Sequence, residues 1–381
     1  MKTNIHIYPA PFQYNSRILN ITNTLKEYKI FDKIIIFGSW KNGALEREDL
    51  DETRVVISIK DCAKEEIKNS FLKFLKILRF SFGIVNNLKQ NDVDCINCHS
   101  LPVLPLCVFL KFIKRARLIY DTHELETESF ECRGLRKVAS KIIERILIDF
   151  VDVTVVVSDS IAEWYKKKYG LKKLWVIKNV LYINSEIPLK TEILREMFNI
   201  RQDEIIFLYQ GLFSPGRGID LLLNVFSKVK EKKHIIFMGY GEMAVEINAA
   251  TISYQNIHCL PAVKPEKISL YSSSADIGFC FIENVCLSYY LTLPTKMLEY
   301  IRCGIPVIVS NFPELSKIID AYGCGWKIPV EENALRNIVD NMTKKDIDEK
   351  KKMSIYAKRF FDWRIEELVL LNIYQQLGFS R

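Results

Sequence analysis

Short apolar runs alternate with stretches of helical period along the whole chain. The runs at 5–8, 33–38, 54–59, 93–98, 116–121, 153–158 and 174–179 are rich in Ile, Val and aromatic residues, and they predict buried strands. After a polar connector the alternation restarts with 205–211, 234–241, 256–260, 275–281 and 305–310. Strand, helix, strand repeated in this way predicts α/β architecture with parallel sheets covered on both faces. The restart predicts a first domain over 1–185 and a second over 186–355. The last pattern, FFDWRIEELVLLNIYQQL at 360–377, is amphipathic with no strand after it. It predicts a helix in a 356–381 segment that caps the second domain or crosses back onto the first.

At 381 residues the chain is long for a single core, which agrees with two domains. No run approaches the roughly 20 apolar residues of a membrane span, and the start MKTNIHIYPAP lacks a signal-peptide core. A cytoplasmic location is expected. The ten cysteines are scattered through strand and helix patterns, as small buried hydrophobes are in a reducing compartment.

A net charge of +8 implies an acidic partner. The stretches 68–80 (KNSFLKFLKILRF) and 106–118 (LCVFLKFIKRARL) interleave Lys and Arg with Phe, Leu and Ile. That pattern fits helices lying on an anionic membrane surface, on the inner face of the cell membrane, rather than a nucleic-acid interface. Core helices with snorkelling lysines give the same pattern.

Open α/β sheets bind ligands beyond the carboxyl ends of their strands. In YQGLFSPGRGID, Gly211 ends a strand and Arg217 and Gly218 open a helix, a cation and free N–H groups suited to phosphate. FMGYGEMA spells G-x-G-x-x-A at Gly239 and Gly241, the dinucleotide fingerprint, but the next strand ends without the acid that would take a ribose. The loop LPAVKPEK carries Val263. In LPTKMLEYIRCGIPVIV, Pro294, Thr295 and Lys296 start a helix and Glu299 follows one turn on, placed to accept ribose hydroxyls from a nucleotide whose diphosphate lies on the helix start. The bland alternative makes Glu299 the wet side of that helix.

Taken together, GRGID, GYGE, SSADIG and LPTKMLEYIRCGIPVIVS, with LIYDTHELETE, VVVSDSIAEWY and VIKNV upstream, resemble the retaining glycosyltransferases of family 4, glycosyl transferases group 1. The resemblance covers most of the chain in the family's order. It implies the GT-B fold, two doubly wound Rossmann-like domains facing across a cleft, with the acceptor half first. It implies a UDP- or GDP-sugar donor, a lipid-linked glycan acceptor, retention, and a role in surface polysaccharide or lipopolysaccharide synthesis. No cofactor and no metal are implied. By position, Glu299 takes the ribose and Arg217 and Lys296 grip the diphosphate, with Gly211, Gly239, Gly241, Val263, Pro294 and Thr295 around them. His123 faces the transferred sugar, so His123, Arg217 and Lys296 form the implied catalytic set. Ser16, Arg17, His99, Asp121 and Glu124 are the candidate acceptor contacts. Leu212 and Leu291 stand where the family has polar residues. An epimerase of the same fold and a non-catalytic partner subunit are the rival readings.

DCINCH at 94–99 spells C-x-x-C-H, a haem or redox pattern, but its alternation reads as a strand ending at His99. No second Cys pair lies at zinc-ligand spacing. His6, His234 and His258 lie inside strand patterns and read as core or surface.

Overall fold

The computed structural model describes residues 1–12, 15–60, 70–180, 190–229 and 232–380. It divides into two compact units. Unit 1 is Met1–Lys178 with Glu366–Arg381, and unit 2 is Asn179–Ile365. The expected boundary at 185/186 lies outside the described residues.

Unit 1 is built on β1 (Thr3–Ile7), β2 (Lys33–Ser39), β3 (Arg47–Asp49), β4 (Arg54–Ile59), β5 (Cys95–Cys98), β6 (Arg117–Asp121), β7 (Val153–Val156) and β8 (Leu174–Val176). They form one sheet in the order β3-β4-β2-β1-β5-β6-β7-β8, parallel except for β3, which pairs antiparallel with β4. Exposed Arg47, Glu48 and Asp49 make up β3, so it has no apolar signal to read. The order reverses between β1 and β5. Every residue of β1 is buried: Ile5 and Ile7 join an apolar cluster with Phe37, Ile96 and Leu118, each contributing about 1.5–3 kcal/mol of burial. Asn4 and His6, two residues apart, present the opposite face.

Helix Ser16–Glu27 covers that polar face, its first turn capped by the Asn15 side chain accepting from Ile18 N–H. Helix Trp363–Gln376 joins it there: Thr24 donates to Glu367 at 2.8 Å, and Tyr374 donates to Asn97 at 2.9 Å.

Unit 2 is a parallel sheet of β9 (Ile205–Leu212), β10 (Lys233–Tyr240), β11 (Ile257–Pro261), β12 (Ile277–Cys280), β13 (Val307–Ser310) and β14 (Gly325–Ile328). Its order is β11-β10-β9-β12-β13-β14, so the switch point lies between β9 and β12. The four-residue β14 begins with a glycine, whose Cβ would meet the Val307 carbonyl oxygen at 2.0 Å. That close approach requires glycine at 325, in a strand where the sequence shows no β-branched run.

Candidate active site

In unit 2 the loops after β9 and β12 flank the switch point and are laced together. Glu283 N–H donates to the Gly216 carbonyl at 3.0 Å, and Gly218 N–H donates to Glu283 Oε1 at 3.1 Å. Gly218 has φ 72°, a left-handed conformation at the cap of helix Ile219–Phe226, and a Cβ there would meet Phe281 at 2.8 Å. Glycine is therefore required twice over.

This lacing presents Arg217. Its guanidinium lies 4.4 Å from the centre of the Tyr289 ring, and its Nε is buried without a hydrogen-bond partner. Lys296, in the first turn of helix Thr295–Arg302, has its Nζ 3.9 Å from the centre of Tyr209 and equally unpartnered. Neither forms an ion pair with a described Asp or Glu. Burial lowers the Lys296 ammonium to about 8, against the pull of Cys280 and Glu299 and with the Arg217 charge acting in the same sense as burial. Two cations resting on aromatic faces instead of acids are an arrangement that gains most from an arriving anion.

Glu299 follows one turn on. It is half-buried and accepts from the Gln210 carboxamide, which Ser272 Oγ holds by donating to Gln210 Oε1 at 2.6 Å. Burial raises Glu299 to about 7 against the pull of Gln210 and Lys296. A carboxylate oriented in this way is not on the solvated side of its helix.

The remaining donor candidates divide. Pro294 precedes the helix and Thr295 begins it, with both half-buried beside Lys296. Gly211, Gly239 and Gly241 serve backbone packing: a Cβ on Gly239 would meet the Gly211 oxygen at 1.8 Å, and one on Gly241 the Phe213 oxygen at 2.3 Å. The G-x-G spacing thus records how the ends of β9 and β10 approach. Val263 packs on the apolar cluster containing Leu293 and Met297. Leu212 ends β9 and Leu291 follows the short helix Leu287–Tyr290.

In unit 1 the parallel strands β1, β5 and β6 are neighbours, and each carries a polar residue two before a histidine: Asn4 and His6, Asn97 and His99, Asp121 and His123. Register and period two turn all six to one face. Asn4 donates to Asn97 Oδ1 at 2.8 Å, His6 Nε2 meets Asn4 Oδ1 at 2.6 Å, and His6 Nδ1 meets His99 Nε2 at 2.8 Å. His99 Nδ1 lies 3.1 Å from His123 Nε2 and 3.3 Å from Asp121. His123 is the most exposed of the three histidines, with its ring stacked on Tyr8 at 5.7 Å. Burial lowers it to about 3, against the opposing field of Asp121, so it is a neutral ring at pH 7.

Arg17 and Asp121 are not free acceptor contacts. Arg17 Nη2 donates to Asp121 Oδ1 at 2.7 Å and Nε to Oδ2 at 2.9 Å, while Nη1 donates to the Ile177 carbonyl at 2.8 Å. The pair is buried, and its guanidinium brackets the carboxylate from inside. His99 is buried likewise, whereas Ser16 is half-buried at a helix start and Glu124 is exposed. Ligand atoms of His99, Asp121 and His123 lie within 4.8 Å of one another, but Arg17 already supplies the positive charge facing that carboxylate. Sequence reasoning missed Asn4, His6 and Asn97, for which the thrice-repeated polar-x-His spacing was the available signal. It also missed Tyr209, Gln210, Ser272, Glu283 and Tyr289, which act only through tertiary contact.

Two family profiles match in tandem, Glycosyltransferase Family 4 over residues 37–181 and Glycosyl transferases group 1 over residues 190–360. The chain belongs to the group 1, family 4-like glycosyltransferases. It has the family's GT-B fold. Among curated glycosyltransferases it is similar to chitobiosyldiphosphodolichol beta-mannosyltransferase of Debaryomyces hansenii, at 22% identity over 66% of this chain and 59% of that one. It therefore spans less than two thirds of that relative's length. Among solved structures, sucrose-phosphate synthase from Thermosynechococcus elongatus superposes with a TM-score of 0.81 at 15% identity, covering 99% of each chain. WaaG, a glycosyltransferase involved in lipopolysaccharide biosynthesis, superposes at 0.70 and 14% identity over 97% of this chain and 99% of its own. At these identities the superpositions speak for the fold alone.

Proposed function

We propose that the protein transfers a sugar, with retention, from a UDP- or GDP-sugar to a lipid-linked glycan at an anionic membrane surface. The observation that carries this reading is the pair of unpartnered cations at the switch point of unit 2. Lys296 Nζ and Arg217 Nε are buried without hydrogen-bond partners and rest on tyrosine faces, so a diphosphate supplies a counter-charge without reorganisation. Glu299 is positioned one turn along for ribose hydroxyls. In the transfer, the bond from the anomeric carbon to the diphosphate oxygen breaks as the acceptor oxygen bonds to the same face, and the acceptor's proton passes to the departing diphosphate. Arg217, Lys296 and the N–H groups of the helix starts stabilise the charge on that leaving group. No metal ion is required where two fixed cations do this.

The acceptor class rests on the similarity to an enzyme named for a diphosphodolichol-linked substrate and on the surface of unit 1. Helix Ser70–Asn87 exposes Leu72, Phe74, Leu78 and Phe82, and helix Leu104–Lys114 exposes Phe109, Phe112 and Ile113. Among the described residues no helix is long and apolar enough to cross a membrane. Exposed aromatic residues beside Lys73, Lys76 and Arg79 suit an interfacial face, and they favour a lipid-linked acceptor over the soluble substrate of an epimerase.

Isothermal calorimetry with UDP and GDP tests the donor site. Binding of one of them, weakened at least tenfold in Arg217→Met and Lys296→Met, is expected. Failure of both nucleotides to bind would refute the donor site and leave a non-catalytic partner subunit.

A further inference from the structure

Strand β9 turns Ile206, Leu208 and Gln210 to one face. The first two lie in the apolar cluster that contains Met297, Leu298 and Ile301 of helix Thr295–Arg302. Gln210 continues that face as a buried carboxamide, where a leucine would pack as the residues before it do. Burying a carboxamide costs free energy unless it is hydrogen-bonded, so its bonds define its role.

The Gln210 backbone is fixed first. β9 pairs with β12 at Phe207 and Leu208, and past that point the Tyr300 hydroxyl takes over the β12 side of β9. It accepts from Gln210 N–H at 2.9 Å and donates to the Leu208 carbonyl at 3.0 Å. The Tyr300 ring is fully buried against Gly278, where a Cβ would meet it at 2.4 Å. With Lys296 on the Tyr209 ring, these contacts hold helix Thr295–Arg302 in one register on β9.

Two further bonds fix the side chain. Ser272 Oγ, fully buried at the end of helix Pro265–Ser272, donates to Gln210 Oε1 at 2.6 Å, and Gln210 Nε2 donates to Glu299 Oε2. Above its value of about 7 the Glu299 carboxylate is acceptor-only, so the amide presents Nε2 to it. Gln210 thereby takes one of the roughly four lone-pair directions of the carboxylate and sets the orientation of the others.

We propose that Gln210, held by Ser272, is the positioning residue that gives the Glu299 site its selectivity for ribose over deoxyribose. The selectivity rests on the donor reading, whereas the bond from Gln210 to Glu299 does not. A glutamate free to rotate loses side-chain entropy when hydroxyls bind it. One already held by a carboxamide has that cost behind it, so the vicinal hydroxyls meet an acceptor in place.

Calorimetry on the full chain at pH 7.5 tests this, with whichever of UDP and GDP binds the parent and with its 2′-deoxy form. The parent should favour the ribonucleotide by about tenfold or more. Glu299→Ala should bring that ratio to about one. Gln210→Met, which keeps the volume and removes both side-chain bonds, should lower the ratio by about threefold or more, and Ser272→Ala should lower it by less. In the Glu299→Ala background Gln210→Met should change nothing further, because Gln210 acts through Glu299. A general loosening of unit 2 would weaken both nucleotides alike and leave the ratio unchanged.

An unchanged ratio in Gln210→Met overturns the proposal, as does a further loss in the Glu299→Ala background. If Gln210→Met does not fold, Ser272→Ala decides by the same ratio. A second readout needs no nucleotide. Burial raises Glu299 and the Gln210 bond opposes that rise, so in spectra of ¹³C-carboxyl-labelled glutamate the Glu299 titration should move to higher pH in Gln210→Met. A parent that binds neither UDP nor GDP fails the donor reading with this shift intact, and a Glu299 titration that stays in place fails the positioning itself.

Discussion

Lys296 Nζ rests 3.9 Å from the centre of the Tyr209 ring, and Tyr209 is itself anchored by donating its hydroxyl to the Leu212 carbonyl at 3.0 Å. The ammonium is held by a ring face rather than an acid, so nothing must be displaced when an anion arrives. A structural cation would lose stability on removal, whereas one waiting for a ligand would not. Arg217→Met and Lys296→Met should each weaken binding of UDP or GDP by about 1.5–3 kcal/mol, roughly 10- to 150-fold. The melting temperature of Lys296→Met should equal or exceed the parent's, since it replaces a buried ammonium by an apolar side chain, and that of Arg217→Met, whose guanidinium is half-exposed, should stay close to it. Calorimetry beside thermal unfolding checks both halves, and a clear loss of stability would assign these cations to the scaffold.

Glu299→Ala should weaken the nucleotide by about 1.5–3 kcal/mol, the range for hydrogen bonds to a charged group. Folding stability should hold or improve, because burial already opposes the charged carboxylate and alanine is the better helix former. Affinity equal to the parent's would mean that Glu299 faces Gln210 for structural reasons only.

The two titrating groups give nucleotide affinity a maximum in pH. Glu299, raised to about 7 by burial, must lose its proton to accept from both ribose hydroxyls, so affinity rises as pH climbs through about 7. Lys296, lowered to about 8 by burial, loses its charge above that value, so affinity falls again. Glu299→Gln should flatten the acid limb and Lys296→Arg the alkaline one. Calorimetric titrations from pH 6 to 9 read each limb separately, and a flat parent profile contradicts both assignments.

Asp121→Asn should destabilise unit 1 by about 3–5 kcal/mol, because it leaves the buried Arg17 guanidinium without its partner. Burial works to raise the Asp121 carboxyl, and Arg17 with His99 outweighs it, holding the group well below the usual carboxylate range. Its contribution is therefore present above the unfolded value of about 3.9 and is lost as pH falls below it. The variant's unfolding free energy should depend less on pH than the parent's over that acid range, as measured by urea denaturation.

Lys73, Lys76 and Arg79 changed together to glutamate should release the protein from vesicles containing anionic lipid while leaving nucleotide affinity unchanged. Helix Gly134–Leu147 adds Leu135, Val138, Ile142 and Ile146 to the exposed apolar surface of unit 1. Flotation that is equal in parent and triple variant would remove these helices from the membrane.

Sugar transfer from the bound nucleotide sugar should persist in excess chelator, since Arg217 and Lys296 supply the positive charge. Activity lost to chelator and regained with manganese would contradict the metal-free reading.

The strand pattern was legible because most of the buried parallel strands are apolar on both faces, and even β1, β5 and β6, with their inward polar residues, keep Ile, Leu or Cys between them. It was silent at β3, whose three residues are all exposed, and at β14, where Gly325 replaces a side chain with backbone contact. Arg217, Lys296 and Glu299 could be read from their places at helix starts, a local property. What Arg17 does could not, since its partner Asp121 stands 104 residues away and only the fold decides whether a guanidinium in the first turn of a helix turns outward or in. The same holds for the supporting tyrosines and for Gln210. His6 was passed over because a lone strand histidine carries no signal until its neighbours on β5 and β6 are known.

Helix Trp363–Gln376 brings Tyr374 to the Asn97–Asn4 pair of unit 1, yet the whole of unit 2 separates it in sequence from the strands it completes. On the ribosome the strands from β1 to β8 emerge first, and their polar face must wait, with the Asn97 oxygen lacking its tyrosine, while unit 2 is translated. Domains emerge at about 5–20 residues per second, so that interval lasts on the order of ten seconds or more. During it the unit synthesised last as a continuous piece can be the first to finish folding.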